Sequence, residues 1–149
     1  CRLICPVLSD NLLHPHHIIP PVILISTLME GAHHLVSQLF FDNEVFYDFY
    51  EKTRIAGIDV PIDAGVMPVT NRAQIERMVT MCGATLPVKF QKVLHKYENN
   101  KEALLDAGLA YTINQIVDLI ASDVDGVHIY TMNNPAVAKR ICDGIRNLV

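Results

Sequence analysis

The amino-acid sequence predicts an α/β protein built on a parallel sheet, and three observations lead there. From His33 onward, short β-rich runs alternate with longer segments of helical periodicity, which is the pattern of βα units. The junctions between them hold capping and turn residues, at Asp42-Asn43, Thr70-Asn71 and Met132-Asn133-Asn134. Half of the 149 residues are hydrophobic and 19% are charged, enough apolar material for one core and too little chain for two ordinary domains.

The first 28 residues stand apart. They hold four prolines and a His-Pro-His-His cluster without a sustained period, and candidate strands lie at Leu3 to Leu8 and Val22 to Ser26. The first βα unit is His33 to Phe41 followed by a helix from Asn43 to Ala56. Its apolar run LVSQLFF suits a buried strand, and Asp42 or Asn43 can cap a helix whose Val45, Phe46, Phe49 and Tyr50 share one face. Gly57 ends that helix. Ile58 to Val69 is the second strand, closed by Pro68 and a cap at Thr70 or Asn71, and a helix from Arg72 to Met81 follows, stopped by Gly83. Pro87 opens a helical stretch in two pieces, Val88 to Tyr97 and Lys101 to Ala121, broken at Asn99 and Asn100. Leu104, Leu105, Leu109, Ile113, Ile116, Val117 and Ile120 make the apolar stripe of the second piece. The last unit is the strand Gly126 to Thr131 and a helix from Pro135 to Asn147, with proline at a favoured first-turn position. Three such units do not close a (β/α)8 barrel, which takes about 250 residues. An open sheet or part of a larger barrel is expected.

Composition narrows the chemistry. Sixteen acidic residues against twelve Lys and Arg give a net charge of -4 and a pI near 5.9, so nucleic acid is not an expected partner. The longest apolar run, Ile18 to Ile25, is broken by Pro20 and Pro21 and is shorter than the roughly 20 residues that cross a bilayer. No membrane partner is expected. Cys1, Cys5, Cys82 and Cys142 form no CxxC pair and read as reduced thiols of a cytoplasmic protein. Neither Cys-x2-Cys nor His-x3-His spacing brings the cysteines together with His14, His16, His17, His33 and His34, so no metal site is expected. GxGxxG, GxxxxGK(S/T) and HExxH do not occur, which removes support for dinucleotide-fold, P-loop and zincin chemistry. The late glycine-rich loops of a barrel phosphate site are also missing, since the turns read GVMPVTN and TMNNPA.

In parallel α/β proteins, functional groups gather where strands end. Three strand ends are polar here: Ser37-Gln38, Pro68 to Asn71, and Tyr130 to Asn133. Gln38, inside an apolar run, offers donors and an acceptor suited either to the edge of a heterocycle or to neighbouring backbone. Thr70 and Asn71 suit helix capping. His128 and Tyr130 alternate with Val127, Ile129 and Thr131, so they share one face of the sheet. Phe40, Phe41, Phe46, Tyr47, Phe49 and Tyr50 cluster as a core or as a surface for a flavin or pterin.

Taken together, three stretches resemble one family: Gly31 to Asp42 (GAHHLVSQLFFD), Ala64 to Asn71 (AGVMPVTN) and His128 to Asn133 (HIYTMN). They are similar, in order and spacing, to the GA…TQ(L/F)FFD, PG(I/L)(M/L)P and (H/F)xYT(L/M)N stretches of methylenetetrahydrofolate reductases, and the Cys82-Gly83-Ala84 to Pro87 turn fits between them. The resemblance covers roughly Glu30 to Val149. It implies that residues 29–149 are the C-terminal portion of a (β/α)8 TIM barrel. It also implies FAD as cofactor, NADH or NADPH as electron donor, and reduction of 5,10-methylenetetrahydrofolate to 5-methyltetrahydrofolate in one-carbon metabolism. On this resemblance Gln38 matches the glutamine that binds the pterin, Gln74 matches a second glutamine at the substrate site, and Tyr130 and Met132 match residues lining the folate pocket.

The departures are specific. Met78 stands where many members have a stacking phenylalanine, and it is a softer apolar surface. The flavin-contacting lysine and aspartate positions of the family would fall near Thr27 and Pro20. The family's acidic catalytic groups lie upstream of this chain, so no catalytic or cofactor-binding residue is assigned within it. The chain is expected to need its missing barrel half or a homo-oligomer. The alternative is a non-catalytic barrel fragment acting as an assembly or binding module, or a separate small α/β domain similar in fold alone.

Overall fold

The computed structural model of the chain describes residues 31–82 and 84–149. The candidate strands at Leu3 to Leu8 and Val22 to Ser26, and the stop at Gly83, lie outside these residues. The described elements run β1 (Leu35–Val36), α1 (Asn43–Ile55), β2 (Ile62–Val66), α2 (Arg72–Cys82), α3 (Val88–Tyr97), α4 (Lys101–Ala121), β3 (Gly126–Ile129) and α5 (Pro135–Ile145). The strands form one parallel sheet in the order β1-β2-β3, with Leu35 beside Ile62 and Gly65 beside His128. An α/β chain with three parallel strands is the predicted class.

Local chemistry explains the helix starts. Asp42 accepts from the Glu44 N–H, Asn100 from Ala103 and Asn134 from Val137, each satisfying a first-turn donor that has no partner within its helix. Helices α3 and α4 have the predicted bounds. The strands are shorter than predicted: β1 keeps two residues of the run His33 to Phe41, and β2 and β3 end at Val66 and Ile129. β1 stops short at Ser37, whose hydroxyl takes the Gly65 N–H in place of its carbonyl.

Alternation along β2 divides the sheet into two unlike faces. Ile62, Ala64 and Val66 are fully buried and pack with Phe40, Phe46, Leu109, Ile116, Leu119 and Ile141, so α1, α4 and α5 cover this face. Val117, expected in the α4 stripe, is 38% exposed, and Leu119 takes its place in the core. Helix α4 is long and apolar enough to cross a membrane. Its Leu104, Gly108, Leu109, Thr112, Gln115, Ile116 and Leu119 are nonetheless buried within this protein, the usual state of a central core helix.

The opposite face is small and polar. Val36 is 45% exposed and His128 is exposed. His34 Nε2 lies 2.9 Å from Asp63 Oδ2, and a Cβ on Gly126 would stand 2.2 Å from Asp63 Oδ1, so the aspartate fills the space that glycine leaves. No helix among the described elements packs on this side, although parallel sheets are ordinarily covered on both.

Two devices fasten the layers. At the N-terminal end of the sheet, Arg54 donates to the Ile58 and Val60 carbonyls and to Asp125, which also accepts from the Ile62 N–H. At the other end, Gly108 of α4 presses on the chain leaving β2: a Cβ there would stand 2.1 Å from the Val69 carbonyl oxygen. Backbone meets backbone at that point, and only glycine permits it.

Candidate functional site

Because the strands are parallel, Ser37-Gln38 after β1, Met67 to Asn71 after β2 and Tyr130 to Asn133 after β3 leave the sheet at one end. This is the end where α/β proteins place ligands.

The segment after β1 has exchanged main-chain partners for side chains. The Ser37 carbonyl accepts from Tyr130 Oη at 3.1 Å, the Gln38 carbonyl from Ser37 Oγ at 3.0 Å, the Phe40 carbonyl from Gln115 Nε2 at 3.1 Å and the Phe41 carbonyl from Tyr111 Oη at 2.7 Å. Backbone acceptors that leave a sheet must find such partners when they are buried. Leu39, Phe40 and Phe41 turn into the core while Gln38 stays exposed. The Gln38 side chain is steadied by its own backbone neighbour, with Oε1 accepting from the Leu39 N–H at 3.1 Å.

After β2 the chain passes through a second apolar cluster of Leu39, Phe41, Met67, Val69, Ile75 and Phe90, against which Met78 and Tyr130 pack. Asn71 caps α2, its Oδ1 accepting from the Gln74 N–H at 2.8 Å. Gln74 reaches back: its Oε1 accepts from Thr70 N–H at 3.2 Å and Thr70 Oγ1 at 2.7 Å. This reciprocal arrangement, a variant of the capping box, fixes the glutamine's amide plane at the strand end.

After β3, Tyr130 donates its N–H to the Val66 carbonyl at 2.9 Å, and its ring meets His128 edge-on at 4.6 Å between centroids. Met132 and Asn133 follow with φ of 51° and 59°, and Met132 is 67% exposed. Two successive non-glycine residues in the left-handed region are uncommon, and asparagine tolerates it far better than methionine. Such conformations concentrate at ligand sites.

Thus Gln38, Gln74, Tyr130 and Met132 lie at one end of the sheet, with Gln38 and Tyr130 linked through the Ser37 main chain. Met78 lies on α2, half-buried against the second apolar cluster. Phe40, Phe41 and Phe46 are buried, and Phe40 stacks on Phe46 at 5.2 Å, so this part of the aromatic cluster is core. Two contributors escaped the sequence reading. Ser37 is named in the sequence only as part of a polar strand end, without a role of its own, and Gly65 carries a signal: a lone glycine inside a strand marks a close approach of other backbone.

Fold and site together define a parallel α/β protein with its polar groups at the C-terminal ends of the strands. A family profile described as methylenetetrahydrofolate reductase matches residues 22–146, and the chain belongs to that family. The match begins at residue 22, ahead of the Gly31 to Asp42 stretch that carries the sequence resemblance. Among curated relatives, the chain is 31% identical over 103 residues to methylenetetrahydrofolate reductase (NADH) 1 of Arabidopsis thaliana, covering 69% of this chain and 17% of the relative. It is 32% identical over 114 residues to methylenetetrahydrofolate reductase 1 of Schizosaccharomyces pombe, covering 76% and 19%. The 5,10-methylenetetrahydrofolate reductase of Pectobacterium carotovorum is 29% identical over 112 residues, covering 75% and 38%. The chain therefore spans between a sixth and two fifths of the length of these relatives.

Proposed function

We propose that this chain is the C-terminal portion of a (β/α)8 barrel and supplies the folate side of a reductase that converts 5,10-methylenetetrahydrofolate to 5-methyltetrahydrofolate. The observation that carries the reading is the gathering of Gln38, Gln74 and Tyr130 at the C-terminal end of a parallel sheet in a member of this family. In both glutamines Oε1 is engaged locally, at Leu39 and at Thr70. Each therefore turns its amide nitrogen to a ligand as a donor, suited to acceptor atoms on a pterin edge. Met132, exposed beside them, supplies an adaptable apolar contact.

The reaction delivers a hydride to the methylene carbon, breaks that carbon's bond to N10 and leaves a proton on N10. FAD, when bound in such a reductase, supplies the redox chemistry between NADH or NADPH and the folate. The described residues do not form a cradle for it, since Phe40, Phe41 and Phe46 are buried and one sheet face lacks a covering layer. Flavin binding and acid catalysis are assigned to the rest of the barrel, and the protein to the cytoplasm.

The test is an assay of the intact protein that contains these residues, with methylenetetrahydrofolate and each nicotinamide in turn. Turnover that Gln38→Ala depresses through the folate is expected. Absence of methyltetrahydrofolate with either donor rejects the reading.

A further inference from the structure

We propose that Ser37 is a positioning residue for Gln38, its hydroxyl replacing a main-chain carbonyl at the last rung between β1 and β2. The inference rests on the folate reading above and deepens it, since it names what holds the substrate-facing glutamine in place.

In a regular parallel pair, alternate residues of one strand bond the neighbouring strand through both N–H and C=O. The Leu35 N–H donates to the Pro61 carbonyl and the Ser37 N–H to the Asp63 carbonyl, both at 2.9 Å. Continued regularly, the Gly65 N–H would donate to the Ser37 carbonyl. It donates to Ser37 Oγ instead, at 2.8 Å. The hydroxyl passes its own hydrogen to the Gln38 carbonyl at 3.0 Å, and the displaced Ser37 carbonyl accepts from Tyr130 Oη at 3.1 Å. One hydroxyl thus acts as acceptor and donor at once, which alanine and valine cannot do.

The exchange is what turns the chain out of the sheet at Gln38. A Cβ on Gly65 would stand 2.4 Å from the Ser37 carbonyl oxygen and 3.2 Å from that of Gln38, so both carbonyls lie directly over β2. Without the hydroxyl, the buried Gly65 N–H either lacks an acceptor or recovers the Ser37 carbonyl. Recovery restores the regular rung and swings the peptide between residues 37 and 38 back toward β2. Gln38 then leaves the orientation that its bond to Leu39 N–H completes. Positioning by Ser37 differs from simple packing because the bond it makes is to the peptide of the glutamine itself.

The experiment compares Ser37→Ala, Ser37→Thr and Ser37→Val in the intact protein. Threonine and valine have nearly the same shape, and threonine alone keeps the hydroxyl. With Ser37→Ala and Ser37→Val, kcat/KM for methylenetetrahydrofolate is expected to fall about 10- to 100-fold, the scale of a misplacement near 1 Å. The KM for the nicotinamide should stay within about two-fold, because the serine faces only the folate side in this reading. Ser37→Thr should restore the folate value. The amide chemical shift of Gly65 gives a readout independent of turnover, moved in the alanine and valine variants, where the hydroxyl acceptor is gone, and nearly unchanged in the threonine variant. Valine behaving like threonine, or equal losses for both substrates, overturns the inference. A wild-type protein without methylenetetrahydrofolate turnover overturns the functional reading itself and removes the positioning role with it.

Discussion

Tyr130 serves two strand ends, one through its main chain and one through its side chain. Its N–H extends the β3 ladder to Val66 and its hydroxyl reaches the Ser37 carbonyl after β1. Tyr130→Phe keeps the ring and removes that donor, so stability should fall by about 1 kcal/mol, read as a lower denaturant midpoint without a change in slope. Gln38 is exposed and makes its side-chain bond to an adjacent residue. Gln38→Ala should therefore leave stability within about 0.5 kcal/mol while lowering kcat/KM for the folate about ten-fold or more. Equal effects on the nicotinamide would count against its role. Tyr111 adds a pH signature: burial, with a contribution from the charge of Asp42, raises its phenol above the ordinary value of 10.0. A raised folded-state value means that its contribution is fully present below about pH 10 and is lost as pH climbs through the higher folded value. Unfolding titrations should show stability declining on the alkaline side, and Tyr111→Phe should flatten part of that decline. Tyr47, raised chiefly by burial, contributes with the same sign.

At the scale of elements, helices were more legible in the sequence than strands. Pro87 and Asn100 punctuate α3 and α4 by local chemistry that acts within one turn, and both helices have the predicted bounds. The run from Leu35 to Phe41 reads as one strand because Leu35, Val36, Leu39, Phe40 and Phe41 are apolar. Only tertiary contacts with Gly65, Tyr130, Tyr111 and Gln115 divide it into two ladder residues and a turn. No periodicity within the run encodes partners that lie 28 to 93 residues away. The same logic separates Val117 from Leu119 in α4, since a helical stripe fixes its centre better than its margins. Asn71→Ala tests the start of α2. Loss of the Gln74 N–H acceptor should cost about 1 kcal/mol and loosen Gln74, so the folate KM should rise together with the loss of stability. A thermal midpoint that falls while the KM stays fixed would show that Gln74 does not need this cap.

On the scale of the whole molecule, the uncovered polar face and the exposed margin at Val36 are where the proposed barrel would continue. The family match and the coverage of its relatives by 17% to 38% supply the rest of the argument. On the proposed partial-barrel reading, these 149 residues expressed alone should associate on gel filtration and remain colourless after exposure to FAD, because that reading places most of the cavity in other residues. A yellow, active monomer would refute the partial-barrel reading. The resemblance in the sequence reached the family, and the gathering of strand ends agrees with it, but the polar face was not foreseen: Asp63 and Gly126 fit each other across strands that lie far apart in sequence.

The contact between Gly108 and Val69 has a mechanical consequence. Side chains absorb small displacements by changing rotamer, whereas two touching backbones transmit them. Helix α4 is thus a rigid strut between the outer surface and the turn that holds Thr70 and Gln74, and it also holds the other strand end through Tyr111 and Gln115. A push on its exposed side, at Asp106 or Val117, would arrive at both glutamines in step.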